Sequence, residues 1–338
     1  MRAVGYKKAG PITAEASLLD IELPDPVASG HDLLIEVKAV SVNPVDTKVR
    51  ASADPTDGEY KVIGYDAAGV VKAVGADVTL FKPGDDVYYA GSIARAGTNS
   101  ELHLVDERIV GRKPKSLSFA EAAALPLTAI TAYEALFDRL KVQDKVPGAN
   151  HAILITGGAG GVGSITIQLA KQLTDLTVIA TASRPETAEW AKSLGADHVI
   201  DHSKPLADEY AALGIDAPAF VYSLTQSDMH ADALAAIIAP QGRLAIIDDP
   251  KGGFDIMRFK RKAVSVHWEF MFARPLFQTS DMIEQHRLLN EVADLVDTGK
   301  IRTTLGENFG TINAENLKKA HTALETGKTR GKVVLEGF

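Results

Sequence analysis

The chain has 338 residues, 46% of them hydrophobic and 24% charged, a soluble globular profile with room for two domains. A formal net charge of −8 and the lack of a long basic run argue against a nucleic-acid partner. There is no cysteine, so disulfides and thiolate metal sites are excluded, and no apolar run reaches membrane-spanning length.

Met1-Arg2-Ala3-Val4-Gly5 starts like a strand and not like a signal peptide, so a cytoplasmic location is expected by default. Over residues 1–117 short β-like runs, at 2–6, 32–42, 67–74, 86–89 and 101–105, are separated by turns such as Pro24-Asp25-Pro26 and Lys82-Pro83-Gly84-Asp85. Many short strands with frequent breakers suggest a barrel-like β domain. The pattern changes at Ser118, where Ser118-Phe119-Ala120-Glu121 has the form of a capping box. Helices are expected at 119–124 and 128–140.

From Ile153 strand and helix alternate. Strands are expected at 152–156, 177–182, 197–200, 218–222, 242–248 and 263–270, with helices at 162–173, 185–194 and 228–237. That alternation predicts a doubly wound parallel sheet. After Pro275 a helix at 280–298 leads into short strands, the last at 331–336. The basic cluster Arg258, Lys260, Arg261 and Lys262 reads as a solvated rim.

The centre of the chain is a strand, a glycine turn and a helix. His151–Thr156 is a short apolar run, and Gly157-Gly158-Ala159-Gly160-Gly161-Val162-Gly163 follows it. In this context Gly158-x-Gly160-x-x-Gly163 is a dinucleotide-binding pattern. Gly158 allows a tight turn, Gly160 lets backbone N–H groups approach a pyrophosphate, and Gly163 lets the helix lie close on the strand. Gly161 and Val162 open the helix, whose N-terminus suits phosphate.

The second strand ends Val178-Ile179-Ala180-Thr181-Ala182-Ser183-Arg184, with no acid to accept from ribose hydroxyls. Ser183 and Arg184 could instead hold a 2′-phosphate, which points to NADPH over NADH. The same residues also form an ordinary helix start, with Ser183 as N-cap. Further nucleotide contacts are expected where strands end, at Leu224, Thr225, Ile247 and Phe270.

Together the residues resemble the medium-chain dehydrogenase/reductase superfamily, in its quinone oxidoreductase branch, which includes the zinc-type alcohol dehydrogenase-like proteins. The resemblance covers nearly the whole chain. It rests on Val42-Asn43-Pro44-Val45-Asp46-Thr47, Gly64-Tyr65-Asp66-Ala67-Ala68-Gly69-Val70-Val71, Lys82-Pro83-Gly84-Asp85-Asp86-Val87, Ala124-Leu125-Pro126-Leu127-Thr128-Ala129 and the glycine turn. It implies an α/β fold in which a GroES-like β domain, 1–124 with a return segment 273–338, encloses a Rossmann domain at 125–272.

The resemblance also implies site residues. Thr128 resembles a threonine near the nicotinamide and Lys332 a C-terminal lysine lining the cleft, and His202 stands where relatives often place an aromatic residue near the adenosine end, although a surface histidine reads equally well. Zinc-dependent relatives carry ligands where this chain has Asn43 and Tyr65, which are poor zinc donors, so no bound metal is expected. Asn43 and Tyr65 are then the candidate donors that polarise a carbonyl. Asn43 also suits a turn before Pro44, and Tyr65 equally suits plain packing. Asp46 is expected to orient the loop or hold ribose.

Conjugated acceptors need less polarisation than simple ketones, so the implied reaction is hydride transfer from NADPH to a quinone or an α,β-unsaturated carbonyl. A zinc-dependent alcohol dehydrogenase and a nucleotide-binding regulatory protein with little turnover stand as alternatives. The run 263–270 would be an apolar edge strand, which implies a homodimer paired through it. The other partner is a small-molecule substrate, with no nucleic acid and no membrane.

Overall fold

The computed structural model describes residues 1–56 and 58–338. The chain divides into two compact units, Met1–Ile130 with Phe272–Phe338, and Thr131–Met271.

The second unit is built on six parallel strands: β1 (Asn150–Ile155), β2 (Thr177–Thr181), β3 (His198–Ile200), β4 (Pro218–Ser223), β5 (Arg243–Ile246) and β6 (Ser265–Trp268). Their order in the sheet is β3-β2-β1-β4-β5-β6. The order reverses between β1 and β4, and in such sheets ligands bind outside the carboxyl ends of the strands at that point. Helices α1 (Gly161–Leu173), α2 (Pro185–Ser193), α3 (Leu206–Ala211) and α4 (Ser227–Ile237) connect the strands. Ala152, Leu154, Ile179, Val221, Leu244 and Ile246 are buried in one cluster. Each large aliphatic side chain there contributes about 1.5–3 kcal/mol by leaving water.

Strand and helix assignments follow the sequence closely here, with four main differences, one being the 3₁₀-helix Ile256–Lys262 where only a basic rim is expected. The six residues of α3 are too few to show a helical period. The last two strands stop at Ile246 and Trp268, because the chain turns away beyond the carboxyl edge. The helix expected at 128–140 is an α-helix, Pro126–Tyr133, that runs into a π-helical turn, Glu134–Arg139, closed by Leu140 N–H donating to Ala135 O at 2.8 Å. Turns of this kind often mark functional positions.

In the first unit a seven-stranded sheet takes the order 305–308, 332–336, 32–42, 67–74, 86–89, 110–112, with 102–106 also paired to 32–42. A three-stranded sheet joins 19–22, 2–6 and 61–62. The C-terminal strand Lys332–Glu336 pairs antiparallel with the strand Asp32–Val42, Val333 lying opposite Val42. That register brings Lys332 to Asn43.

Two helices of this unit, Pro44–Ser52 and Ala314–Glu325, are absent from the sequence expectations. The buried positions of the first are Asp46 and Arg50, so it has no apolar stripe to read. The buried face of the second, Ala314, Leu317, Ala320 and His321, is made mostly of small and polar residues.

Candidate functional site

In the second unit the glycine turn leaves β1 at its carboxyl end. Gly157 takes the left-handed conformation at φ +67°, so the tight turn belongs to Gly157 and not to Gly158. A Cβ on Gly158 would meet Ala180 Cβ at 2.7 Å, and one on Gly163 would meet Gly157 O at 2.5 Å. These two glycines are required by packing. A Cβ on Gly160 would meet Gly157 O only at 3.4 Å, which is ordinary contact, so packing does not account for this glycine. Helix α1 begins at Gly161, and the N–H groups of its first turn, Gly161, Val162 and Gly163, have no helical acceptor.

Thr181, at the end of β2, holds the turn from below. Its hydroxyl accepts from Gly157 N–H at 3.0 Å and its carbonyl accepts from Gly158 N–H at 3.0 Å. The same hydroxyl lies 3.0 Å from His202 Nδ1. Sequence reasoning missed Thr181; the signal available was a polar residue closing a buried strand beside the turn. Ser183 is exposed and Arg184 half-buried, with Arg184 Nε 3.3 Å from Glu186 Oε1. Leu224 N–H donates to Thr156 Oγ1 at 2.8 Å, and Thr225 lies against Gly157. Ile247 N–H donates to Ser223 O at 3.3 Å. The glycine turn, Ser183, Arg184, His202, Leu224, Thr225 and Ile247 thus all sit at the carboxyl edge of one sheet. Phe270 follows β6 and is exposed.

In the first unit a polar network is sealed from water. Asn43, Asp46, Asp66 and Lys332 are all buried. Asp66 accepts from Leu127 N–H at 2.7 Å on Oδ1, and from Asn43 Nδ2 at 2.8 Å and Lys332 Nζ at 3.0 Å on Oδ2. Lys332 also donates to Val42 O at 3.2 Å and to Asn43 Oδ1. Its three N–H donors are all engaged inside the protein. The Asn43 carboxamide is engaged in the same way, with a longer 3.4 Å contact to Ser41 O. Its amide is therefore not poised as a free donor.

Asp46 reaches back from the first turn of its helix to accept from Asn43 N–H at 2.6 Å. Burial pushes its carboxyl up to about 7, against the opposing pull of the Asn43 N–H and of Lys332. The same desolvation raises Asp66, with Lys332 opposing it. Thr128, also buried, donates its hydroxyl to Leu125 O at 3.1 Å.

Tyr65 packs edge-on against Phe272, ring centres 5.3 Å apart. Burial, reinforced by the Asp46 charge, holds its phenol well above the usual tyrosine range, so it stays a donor at neutral pH. Asp66 is not among the site residues expected from the sequence, and the structure makes it the hub of this network.

Family comparisons agree with this geometry. The alcohol dehydrogenase GroES-like domain matches residues 29–131 and the zinc-binding dehydrogenase family matches 194–335. A zinc-type alcohol dehydrogenase-like protein of Staphylococcus aureus is 40% identical over 99% of both chains. The 2-methylene-furan-3-one reductase of Solanum lycopersicum is 31% identical over 99% of this chain and 79% of its own. Among solved structures, a Rhizobium etli protein described as a candidate zinc-dependent alcohol dehydrogenase is 70% identical, with a TM-score of 0.98 over 100% of this chain and 98% of its own. The quinone oxidoreductase of Coxiella burnetii is 28% identical, with a TM-score of 0.81 over 100% of this chain and 99% of its own.

The chain belongs to the medium-chain dehydrogenase/reductase superfamily, in its quinone oxidoreductase branch. It is an oxidoreductase of that type, with the GroES-like and Rossmann folds of the superfamily. Zinc is the metal the family names imply, and the donor set does not fit it. A carboxamide and a phenol stand where strong ligands are needed, and an ammonium already neutralises Asp66. Among the described residues no three His, Cys, Asp or Glu side chains converge as a metal site. Also among them, no helix is long and apolar enough to cross a membrane.

Proposed function

We propose that this chain is an NADPH-dependent, zinc-independent reductase acting on a quinone or an α,β-unsaturated carbonyl. The observation that carries the reading is an intact dinucleotide turn, with Arg184 and no acid after β2, in a chain that keeps the Tyr65 phenol as its candidate donor to a substrate carbonyl. When bound, NADPH supplies a hydride.

The residues of this chain do the rest. The N–H groups of Gly161–Gly163 hold the pyrophosphate. Arg184, whose planar guanidinium suits a phosphate, would hold the 2′-phosphate. Tyr65 donates its O–H to the oxygen on which negative charge develops, the enolate of an enone or the phenolate of a quinone, and water delivers the proton that completes reduction. Asn43 and Lys332 act behind it, fixing the loop that carries Asp46. The family match to an enone reductase and to a quinone oxidoreductase supports this substrate class.

The reading includes a cytoplasmic homodimer joined along β6. That strand is paired on one side only, and Trp268 and Phe270 beside it are 56% and 46% exposed. Paired edges would form one continuous sheet.

The test follows NADPH absorbance against a panel of quinones, enones and aldehydes, with metal analysis of the same preparation. Turnover of conjugated acceptors without stoichiometric zinc is expected. Chelator-sensitive alcohol oxidation would refute the reading, and tight nucleotide binding with no turnover would favour a regulatory role.

A further inference from the structure

Thr181 ties the glycine turn to the strand beside it. Its buried hydroxyl meets two groups, Gly157 N–H at 3.0 Å and His202 Nδ1 at 3.0 Å. The first contact has one possible direction, because a backbone N–H only donates. The second has two. Either the hydroxyl donates to Nδ1, or Nδ1–H donates to the hydroxyl. In the latter case the hydroxyl proton would face no acceptor, since the Thr181 oxygen has no third partner among the described residues. A donor orphaned out of water is expensive, so the hydroxyl donates to Nδ1.

That direction fixes the ring. A neutral imidazole carries one proton, and with Nδ1 accepting, the proton sits on Nε2. Burial holds the ring neutral by keeping its pKa below the ordinary histidine value, against the pull of Asp201. Nε2 lies across the ring from the Thr181 contact. It makes no bond to the described residues, and the half-buried ring leaves it open to solvent.

Strand pairing sets where this donor stands. Thr181 lies opposite Ile200, the last residue of β3, and Ala182 N–H donates to Ile200 O at 3.0 Å. Within two residues of that bond both chains leave the carboxyl edge, one carrying Ser183 and Arg184, the other His202.

We infer that Thr181 is a positioning residue that holds His202 in its Nε2–H tautomer, and that this neutral donor joins Arg184 in binding the 2′-phosphate of NADPH. This role rests on the nucleotide reading above and adds to it a dependence of nucleotide choice on a side chain buried beneath the turn. One hydroxyl then serves both ends of the nucleotide. Its lone pair steadies Gly157 in the pyrophosphate turn, and its proton sets the donor at the 2′ position. A hydrogen bond to a charged phosphate is stronger than one to a ribose hydroxyl, so the ring favours NADPH over NADH.

Heteronuclear NMR of the imidazole nitrogens in the full chain reads the tautomer, with the His202 signal identified by its loss in His202→Phe. Calorimetric titration with NADPH and NADH reads the consequence. The wild type should carry a proton on His202 Nε2 and none on Nδ1. In Thr181→Val, which keeps the shape and removes the hydroxyl, the two tautomers should mix. Thr181→Ser should restore the wild-type spectrum. His202→Phe should raise the Kd for NADPH roughly fivefold and leave that for NADH unchanged. Thr181→Val should weaken both nucleotides, because Gly157 N–H loses its acceptor, and should also shift the NADPH-to-NADH ratio in the direction of His202→Phe. The double variant should show the ratio of His202→Phe alone, since Thr181 acts on that ratio through the ring.

A proton on Nδ1 in the wild type, or an unchanged ratio in His202→Phe, would overturn the assignment. If Thr181→Val fails to fold, the wild-type spectrum and His202→Phe decide it. A chain that binds neither nucleotide refutes the functional reading, while the spectrum still decides whether Thr181 sets the tautomer.

Discussion

Lys332 and Asp66 form an ion pair at 3.0 Å, both side chains sealed from water, although 266 residues separate them. The strand register that sets Val333 opposite Val42 makes the meeting possible. Lys332→Met leaves Asp66 without its counter-charge and should cost about 3–5 kcal/mol in denaturant unfolding. The double variant Lys332→Met/Asp66→Asn should recover a good part of that loss, because no buried charge remains. Additive losses in the two single variants would show that the pair does not interact.

On the proposed function, Arg184 is the residue on which the choice of nucleotide turns. Arg184→Ala should raise the Kd for NADPH by about tenfold, the value of one charge-assisted contact. The Kd for NADH should change little. Calorimetric titration of both nucleotides measures the ratio directly, and an unchanged ratio would remove the 2′-phosphate role.

Two glycines of the turn should respond differently to the same substitution. Gly163→Ala forces a Cβ to 2.5 Å from Gly157 O and should destabilise the unit by about 1–3 kcal/mol. Gly160→Ala meets nothing closer than 3.4 Å and should fold normally. It should still weaken nucleotide binding, because the added methyl group stands where backbone and pyrophosphate approach. Melting curves with and without NADPH separate the two effects.

Asp46 gives stability a dependence on pH. Its folded-state value, raised to about 7, lies above that of the unfolded chain, so the native state retains the proton. Its contribution is complete below the ordinary carboxylate range and is lost as pH rises to about 7. Asp46→Asn, which can still accept from the Asn43 N–H, should flatten the unfolding free energy in that window by up to about 1.4 kcal/mol per pH unit. Chemical denaturation at a series of pH values checks the sign as well as the size.

The Rossmann unit was legible because its strands are continuous apolar runs and its turn is crowded with glycine. Each of those signals is local in the chain. The helix Pro44–Ser52 was not legible, since its buried residues are Asp46 and Arg50 and a polar buried face leaves no hydrophobic period. The role of Thr181 was hidden for a related reason. A threonine at a strand end has many ordinary explanations until Gly157 and His202 are seen on either side of its hydroxyl.

The sequence by itself determined the alternating α/β class, the nucleotide turn and the absence of thiolate ligands, because composition and short-range spacing settle those matters. Only the tertiary structure decided what Asn43, Asp66 and Lys332 do. The state of a buried polar group depends on its partners, and here the partners arrive from distant segments: Lys332 reaches Asn43 across a strand pairing, and Asp66 accepts from both. Desolvation then fixes which of these groups keeps a charge and which keeps a proton.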